Sequence, residues 1–342
     1  MTMTTLDLLF AGAAKGPQHN PCLLAVFTAW ARPAWLAWDP CLPYLTGVII
    51  LALGLAMFLK KEAPHKHGLD RIVALGPMLL AVPLAVFGGE HLIAGQSMAG
   101  MVPSWIPGHL FWIYFVGVCL LLAALSLVLD RYAGLAAALF GIMLLLFEVL
   151  LHIPLALSAP GNRFFWAVVF RELIFSSGAL ALAATYTEAW RKHGKHPVIT
   201  IVRFVMGVGI VFFGVEQLLH PEFVPAVPLN RLTPNWIPMH LLWGYPVGVV
   251  FVVAGLCLIL NQQTRRAATW LGLTILLTVV IIYVPINIAS AADIGKGLNY
   301  LADTLLLGGA VLAFAGSQHG KLATQNVLER TSARGVTEEI PF

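Results

Sequence analysis

Long apolar segments recur along this chain, and they set the strongest limit on its fold. Stretches of roughly 20 mostly apolar residues include 72–94, 109–129, 133–157 and 239–260. A helix of about 20 residues spans the roughly 30 Å hydrocarbon core of a bilayer. The segments lack the alternation of apolar and polar residues that is typical of outer-membrane strands. Only 11% of the residues are charged, whereas soluble domains average about a quarter. The sequence therefore predicts an all-α integral membrane protein.

The segments divide into about nine transmembrane helices. Their predicted bounds, with the usual uncertainty at element ends, are 43–60, 72–94, 109–129, 133–157, 165–186, 200–219, 239–260, 267–289 and 298–316. We divide the chain into an extracytoplasmic or interfacial segment (1–42), an extra helix with a basic loop (43–71), a first repeat (72–186), a linker (187–199), a second repeat (200–316) and a polar tail (317–342).

Basic residues predict the orientation of these helices. One set of loops holds Lys60, Lys61, Lys192, Arg265 and Arg266, among others, and the opposite set is poor in Lys and Arg. The positive-inside rule places the basic loops and the C-terminus in the cytoplasm and the N-terminus outside. Because the basic residues lie in short loops, we expect no nucleic-acid partner.

The N-terminal segment is predicted to lie on the membrane surface. Residues 22–38 are rich in tryptophan and are broken by Pro33, which favours an interfacial helix. Cys22 and Cys41 precede the first span and would share one side of the membrane, and whether they pair is left open.

An internal repeat organises the rest of the chain. A shift of 131 residues places 103–129 over 234–260 with fifteen identities in twenty-seven positions, including Trp-Ile-Pro-x-His-Leu in both copies. The same shift matches Glu172 to Asp303, and FGGEHL at 87–92 matches FGVEQL at 213–218 with five extra residues in the second loop. Each unit has four spans, an even number, so we expect two parallel four-helix repeats plus one extra N-terminal span.

Polar residues of the first repeat cluster toward the predicted outer side. We expect them to form one layer, because an ionisable residue inside a span is costly and by default suggests a function. The members of this layer are Glu90, His109, Glu148, His152, Arg171 and Glu172. Glu148 and His152 are four residues apart and share one helix face.

The second repeat carries a reduced copy of this layer. It keeps Glu216, His240 and Asp303, but Val279, Tyr283 and Ala302 replace the counterparts of Glu148, His152 and Arg171. This asymmetry favours the first repeat as the place of the chemistry. Trp105 and Trp236, in the two Trp-Ile-Pro copies, suit the membrane interface.

Several interpretations of the polar layer stay open at this point. It forms either an ion-pair network that holds helices together or a ligand site. A quinone headgroup could use Glu90 and His109 with an aromatic wall that includes Trp105. A metal could use Glu148, His152, His109 and Glu90, and haem ligation would need His109 opposite His240. Haem and metal are less favoured than quinone.

The four-span unit resembles the DoxX/DoxD-like family of prokaryotic membrane proteins. The resemblance rests on FGGEHL and FGVEQL, on Pro-x-Trp-Ile-Pro and on the short basic turns DRYAG and QQTRRAA, and it covers Ile72 to Gly316 as a tandem duplication. Positions that match the family pattern are Glu90, Glu216, Trp105, Trp236, Pro107 and Pro238. Some family members are subunits of a membrane-bound thiosulfate:quinone oxidoreductase, which implies an oxidoreductase role in the prokaryotic inner membrane.

The sequence and the resemblance together predict an inner-membrane subunit of a DoxX-like oxidoreductase system. It would bind a quinone or a redox-protein partner through the polar layer, within the lipid bilayer, and a homo-oligomer is left open. The alternatives are a small-solute or ion transporter and a non-catalytic scaffold subunit. The predicted binding residues are Glu90, Trp105, His109, Glu148, His152, Arg171, Glu172, Glu216, Trp236, His240 and Asp303.

Overall fold

A computed structural model describes residues 41–193, 196–227, 230–290 and 297–318 of the chain. The predicted interfacial helix at 22–38, Cys22 and the polar tail beyond residue 318 lie outside these ranges. Within them the structure is helical, and its one β-bridge joins Phe223 to Leu232.

The described helices follow the predicted apolar segments closely. They are α1 Leu42–Lys61, α2 Leu69–Met101, α3 His109–Leu129, α4 Ala133–Ser158, α5 Arg163–Thr185, α6 Pro197–Leu219, α7 Gly244–Ile259, α8 Thr264–Ala289 and α9 Leu298–Ser317. A short helix, Glu188–His193, follows α5. In the described part of the chain, eight helices are long and apolar enough to cross a membrane, and α7 is the shorter one. The all-α, multi-span fold is confirmed.

The seventh predicted span starts later than its sequence suggests. Residues 239–243 form turns rather than the first turn of a helix, and Met239 adopts a positive φ of 57°. The amide of Leu242 donates to the Met239 carbonyl at 2.7 Å, which closes a tight turn. His240 therefore precedes α7 instead of beginning it, whereas His109 does begin α3.

Both four-helix units share an unusual local feature. Five residues in the second half of α4, Glu148–His152, and five in the second half of α8, Val279–Tyr283, adopt a π-helix. The two segments are related by the same 131-residue shift as the sequence repeat. Proline follows each one, at Pro154 and Pro285, and lacks the N–H that would bond to the carbonyl four residues earlier. The π-helix widens the turn at the position where the sequence placed its polar pair.

The two units pack against each other in a reciprocal way. Helix α9 of the second unit packs on α2 of the first, and α5 of the first packs on α6 of the second. Glycine permits both contacts, because a Cβ added at Gly309 would lie 2.5 Å from the Leu79 carbonyl carbon and one added at Gly209 would lie 2.8 Å from Ile174. Helices α5 and α9 also contact each other at the centre, and α1 binds to the side of α2, where Thr46 Oγ1 donates to the Ala85 carbonyl at 2.7 Å.

Candidate functional site

Arg171 lies at the centre of the polar layer and joins the two units. Its guanidinium donates to Glu172 at 2.8 Å and to Asp303 at 2.6 Å. Glu172 is on α5 and Asp303 is on α9, and the two are repeat counterparts. One cation thus bridges the same position of both units, where the second unit has Ala302 instead of its own arginine. All three side chains are largely shielded from solvent.

A second polar contact joins the units beside this ion pair. Asn299 Nδ2, on α9, donates to Glu90 Oε1, on α2, at 2.9 Å. Glu90 lies near enough to Asp303 for the two carboxylates to interact electrostatically. The layer therefore holds more acidic groups than Arg171 alone can neutralise.

Glu148 and His152 form the third part of the layer. The π-helix of α4 places them together, with His152 Nδ1 2.9 Å from Glu148 Oε1. Glu148 is 1% exposed, whereas the side chain of His152 is 22% exposed. Glu172 and Arg171 lie within electrostatic range of the Glu148 carboxylate. The pair therefore connects the exposed face of α4 to the buried charges.

Three buried polar atoms of this layer have no hydrogen-bond partner in the described part of the chain. They are Glu148 Oε2, Arg171 Nε and Asn299 Oδ1. Buried polar atoms in native proteins nearly always find a partner, in the protein or in bound water. These two acceptors and one donor can each bond to a water molecule or to a polar ligand.

The corresponding region of the second unit is covered. Tyr283, the counterpart of His152, is fully buried and donates through its hydroxyl to the Pro225 carbonyl at 2.7 Å. Pro225 belongs to the loop with the five extra residues, which the bridge between Phe223 and Leu232 folds back on itself. Glu216 is bound by Arg163 at 2.9 Å, and the Arg163 guanidinium lies 4.3 Å from the Phe223 ring centre.

The structure does not join the Trp-Ile-Pro-x-His-Leu residues to the buried charges. Trp105 is 69% exposed and Trp236 is 55% exposed. His109 and His240 are half-buried and make no hydrogen bond or ion pair within the described residues. These four predicted site residues lie around the loops, while Glu90, Glu148, His152, Arg171, Glu172 and Asp303 form the buried layer.

A different residue explains why the motif is repeated. Trp112 Nε1 donates to the Pro107 carbonyl at 3.1 Å, and Trp243 Nε1 donates to the Pro238 carbonyl at 2.9 Å. Each tryptophan follows its proline by five residues, so the repeated spacing indicates the same hydrogen bond in both copies. The motif is a turn that a hydrogen bond from an indole N–H stabilises.

The metal and haem alternatives find no support in this geometry. No group of three or more His, Cys, Asp or Glu side chains that could hold a metal ion occurs among the described residues. The proposed set of Glu148, His152, His109 and Glu90 is thus not assembled there. His109 and His240, the suggested haem ligands, each lie in or beside their own loop.

We expect Trp112→Phe to lower the free energy of unfolding by about 1 kcal/mol, because it removes one hydrogen bond and leaves the Pro107 carbonyl without that donor. Unfolding in detergent, followed by circular dichroism, measures the change. Trp105→Phe is the matched control, since the exposed Trp105 has no such contact within the described residues. Equal effects of the two substitutions would contradict this role for Trp112.

Sequence reasoning missed two of the contacts described above. In the sequence, Arg163 is a basic residue near the start of a span and Asn299 is a polar residue within one, and neither position indicates a partner. In the structure, Arg163 binds Glu216 and Asn299 binds Glu90.

Comparison with known proteins finds no matching family model, no matching curated protein and no matching solved structure.

Proposed function

We propose that this chain is an inner-membrane subunit of a DoxX-like oxidoreductase system and that it binds a quinone headgroup at the Glu148–His152 pair. The observation that carries the proposal is the position of this pair. His152 is partly exposed at the surface of α4, and its partner Glu148 is buried beside Arg171 and Glu172. A ligand arriving from the bilayer would contact His152, which is hydrogen-bonded to a buried carboxylate.

The surface around His152 is apolar. Val149, one turn before it, is 65% exposed, and Leu155, one turn after it, is also exposed. An exposed apolar face on a spanning helix suits contact with lipid. A quinone is dissolved in the same hydrocarbon, so its ring can reach His152 laterally. His152 Nε2 makes no hydrogen bond within the described residues and is available to a quinone carbonyl oxygen.

The buried layer suits the proton side of quinone chemistry. Reduction of a quinone to a quinol takes up two electrons and two protons. Histidine and carboxylate groups are the usual donors and acceptors of protons at such sites. The layer holds four carboxylates, Glu90, Glu148, Glu172 and Asp303, and one arginine, and unpaired charge inside a membrane is costly. We therefore propose that these acids exchange protons with the bound quinone. The electrons would come from a partner redox protein, because side chains of this kind do not supply them.

The difference between the units supports a single site. The loop with the five extra residues covers Tyr283, and its Pro225 carbonyl accepts a hydrogen bond from the Tyr283 hydroxyl, so the second unit offers no open polar group at this position. The first unit has the shorter loop and leaves His152 partly exposed. We therefore assign binding to the first unit, with one quinone per chain.

Titration of the purified protein with a short-chain ubiquinone analogue, followed by quenching of tryptophan fluorescence, tests the proposal. We expect Glu148→Gln and His152→Ala each to raise the Kd up to about tenfold, because a hydrogen bond contributes about 0.5–1.5 kcal/mol net and about 1.4 kcal/mol corresponds to a factor of ten. Tyr283→Phe, at the matching position of the second unit, should leave the Kd unchanged. Unchanged binding in both first-unit variants would refute the assignment.

The scaffold alternative has one observation in its favour. Arg171 holds Glu172 and Asp303 together across the two units, which is what helix association alone would require. If the layer is only structural, Glu148→Gln and His152→Ala will lower thermal stability and the protein will show no saturable quinone binding. The same titration therefore separates the two functions.

A further inference from the structure

A cavity lies at the opposite end of the helices from the polar layer. It has a volume of about 500 Å³ and lies between the ends of α1, α2, α3, α5 and α9. Sites that enclose small molecules usually have about 300–1,000 Å³. Its inner wall is apolar and includes Met57, Val73, Met78, Leu127 and Leu182. The cavity is separate from the site assigned to quinone.

Three small residues line this cavity. Gly54, Ala74 and Gly316 line the cavity on three different helices. A Cβ added at Gly316 would meet its nearest neighbour, Val73 Cγ1, at 3.6 Å, which is an ordinary contact distance. A larger side chain at Gly316 would therefore fill the cavity without a backbone clash at its first carbon.

The mouth of the cavity carries charges of both signs. Lys61 and Lys66 line it and make no ion pair within the described residues. On the acidic side, Asp70 is neutralised by Arg265 at 2.6 Å, which leaves the carboxylates of Glu62 and Asp130. The mouth thus offers two ammonium groups and two carboxylates next to an apolar interior.

Tyr186 fixes one of these carboxylates. Its hydroxyl donates to Asp130 Oδ1 at 2.7 Å, and the residue lies just past the end of α5. Burial, together with the neighbouring Asp130 carboxylate, raises the pKa of the Tyr186 phenol well above its usual range. Tyr186 therefore stays a neutral donor to one oxygen of Asp130, which leaves the second carboxylate oxygen for a ligand.

We propose that this cavity binds a phospholipid whose headgroup carries both a phosphate and a primary ammonium group. The acyl chain would fill the apolar interior, the phosphate would contact Lys61 and Lys66, and the ammonium would donate to Asp130 and Glu62. A headgroup with a phosphate and no cation leaves the Asp130 and Glu62 carboxylates without a cationic partner. A trimethylated ammonium cannot donate hydrogen bonds to them.

Native mass spectrometry tests this with protein reconstituted in equal amounts of dioleoyl phosphatidylethanolamine, phosphatidylcholine and phosphatidylglycerol. We expect one phosphatidylethanolamine per chain to stay bound at collision energies that remove the other two. Soluble glycerophosphoethanolamine, added in excess, should displace it weakly or not at all, since it lacks the acyl chain. Equal retention of all three lipids, or a preference for phosphatidylglycerol, would overturn the proposal.

Variants tie the retained lipid to this cavity. We expect Gly316→Leu, which fills the interior, and the double substitution Lys61→Ala with Lys66→Ala to reduce retention at least fivefold. Lys60→Ala is the matched control, because Lys60 is exposed and is not a lining residue. Should Gly316→Leu not fold, the double lysine variant still decides the outcome. Unchanged retention in that variant would overturn the assignment, and quinone titration should be unaffected throughout.

Discussion

Replacing Arg171 with methionine is expected to lower the free energy of unfolding by about 3–5 kcal/mol, because Glu172 and Asp303 would stay buried without their shared cation. The loss would act at the boundary between the two units, where the guanidinium bridges α5 and α9. Reversible unfolding by sodium dodecyl sulfate in mixed micelles measures it. The exposed pair of Lys192 and Glu188 gives the control, and Lys192→Met should cost less than about 0.5 kcal/mol.

A triple variant separates loss of charge balance from loss of packing. Arg171→Met combined with Glu172→Gln and Asp303→Asn removes the two carboxylates together with the arginine that pairs with them. Replacing a whole buried ion network with neutral groups is often close to neutral for stability. We therefore expect the triple variant to regain most of what Arg171→Met loses. A triple variant that unfolds as easily as the single one would show that these charges do not interact as described.

The largest steric effect is expected from Gly178→Leu. Gly178 on α5 contacts Ala310 on α9, and an added Cβ would lie 2.5 Å from the Ala310 Cβ and close to backbone atoms as well. Overpacking of a filled core typically costs about 1–3 kcal/mol, and here the backbones of two central helices would have to separate. We expect a loss at or above the top of that range, measured by the same unfolding assay and by the yield of monodisperse protein.

Two further substitutions make the Gly178 result specific. Gly161→Leu should have little effect, because a Cβ at Gly161 has no neighbour within 4 Å in the described structure. Gly178→Ala combined with Ala310→Gly should recover only a small part of the stability lost in Gly178→Ala alone, because it removes the Ala310 Cβ at 2.5 Å but leaves the Ala310 Cα and carbonyl oxygen, both within 2.5 Å of the added methyl group. A stable Gly178→Leu protein would contradict the close crossing of α5 and α9.

The helices were predictable because each one had to be apolar along its whole length. Their ends were predictable only where the helix begins directly at the residues that favour a helix start. Pro107 and His109 predict the start of α3 correctly. The same pattern places the start of α7 too early, because Met239 adopts a positive φ and forms a turn before the helix begins. The π-helices in α4 and α8 were not predicted, although the repeated prolines after them were visible.

Most members of the buried layer were predictable, but their contacts were not. The cost of burying Glu148 and Arg171 in a membrane is a property of single residues, so the sequence identifies them. The contact between Arg171 and Asp303 depends on how α5 meets α9, and their separation of 132 positions leaves no local trace. His109 was grouped with the layer because it lies at the correct depth, but depth does not determine which way a side chain faces.

Photolabelling with an azido-substituted quinone, followed by peptide mass mapping, tests the central claim most directly. The protein is labelled in its membrane with and without an excess of unlabelled quinone, beside the His152→Ala variant. We predict that the competed label lies on α4 at 148–155 or on α5 near Arg171 and is lost in the variant. Competed label confined to the exposed aromatic face of α3, at Phe111 and Phe115, or retained in His152→Ala, would contradict binding at the Glu148–His152 pair.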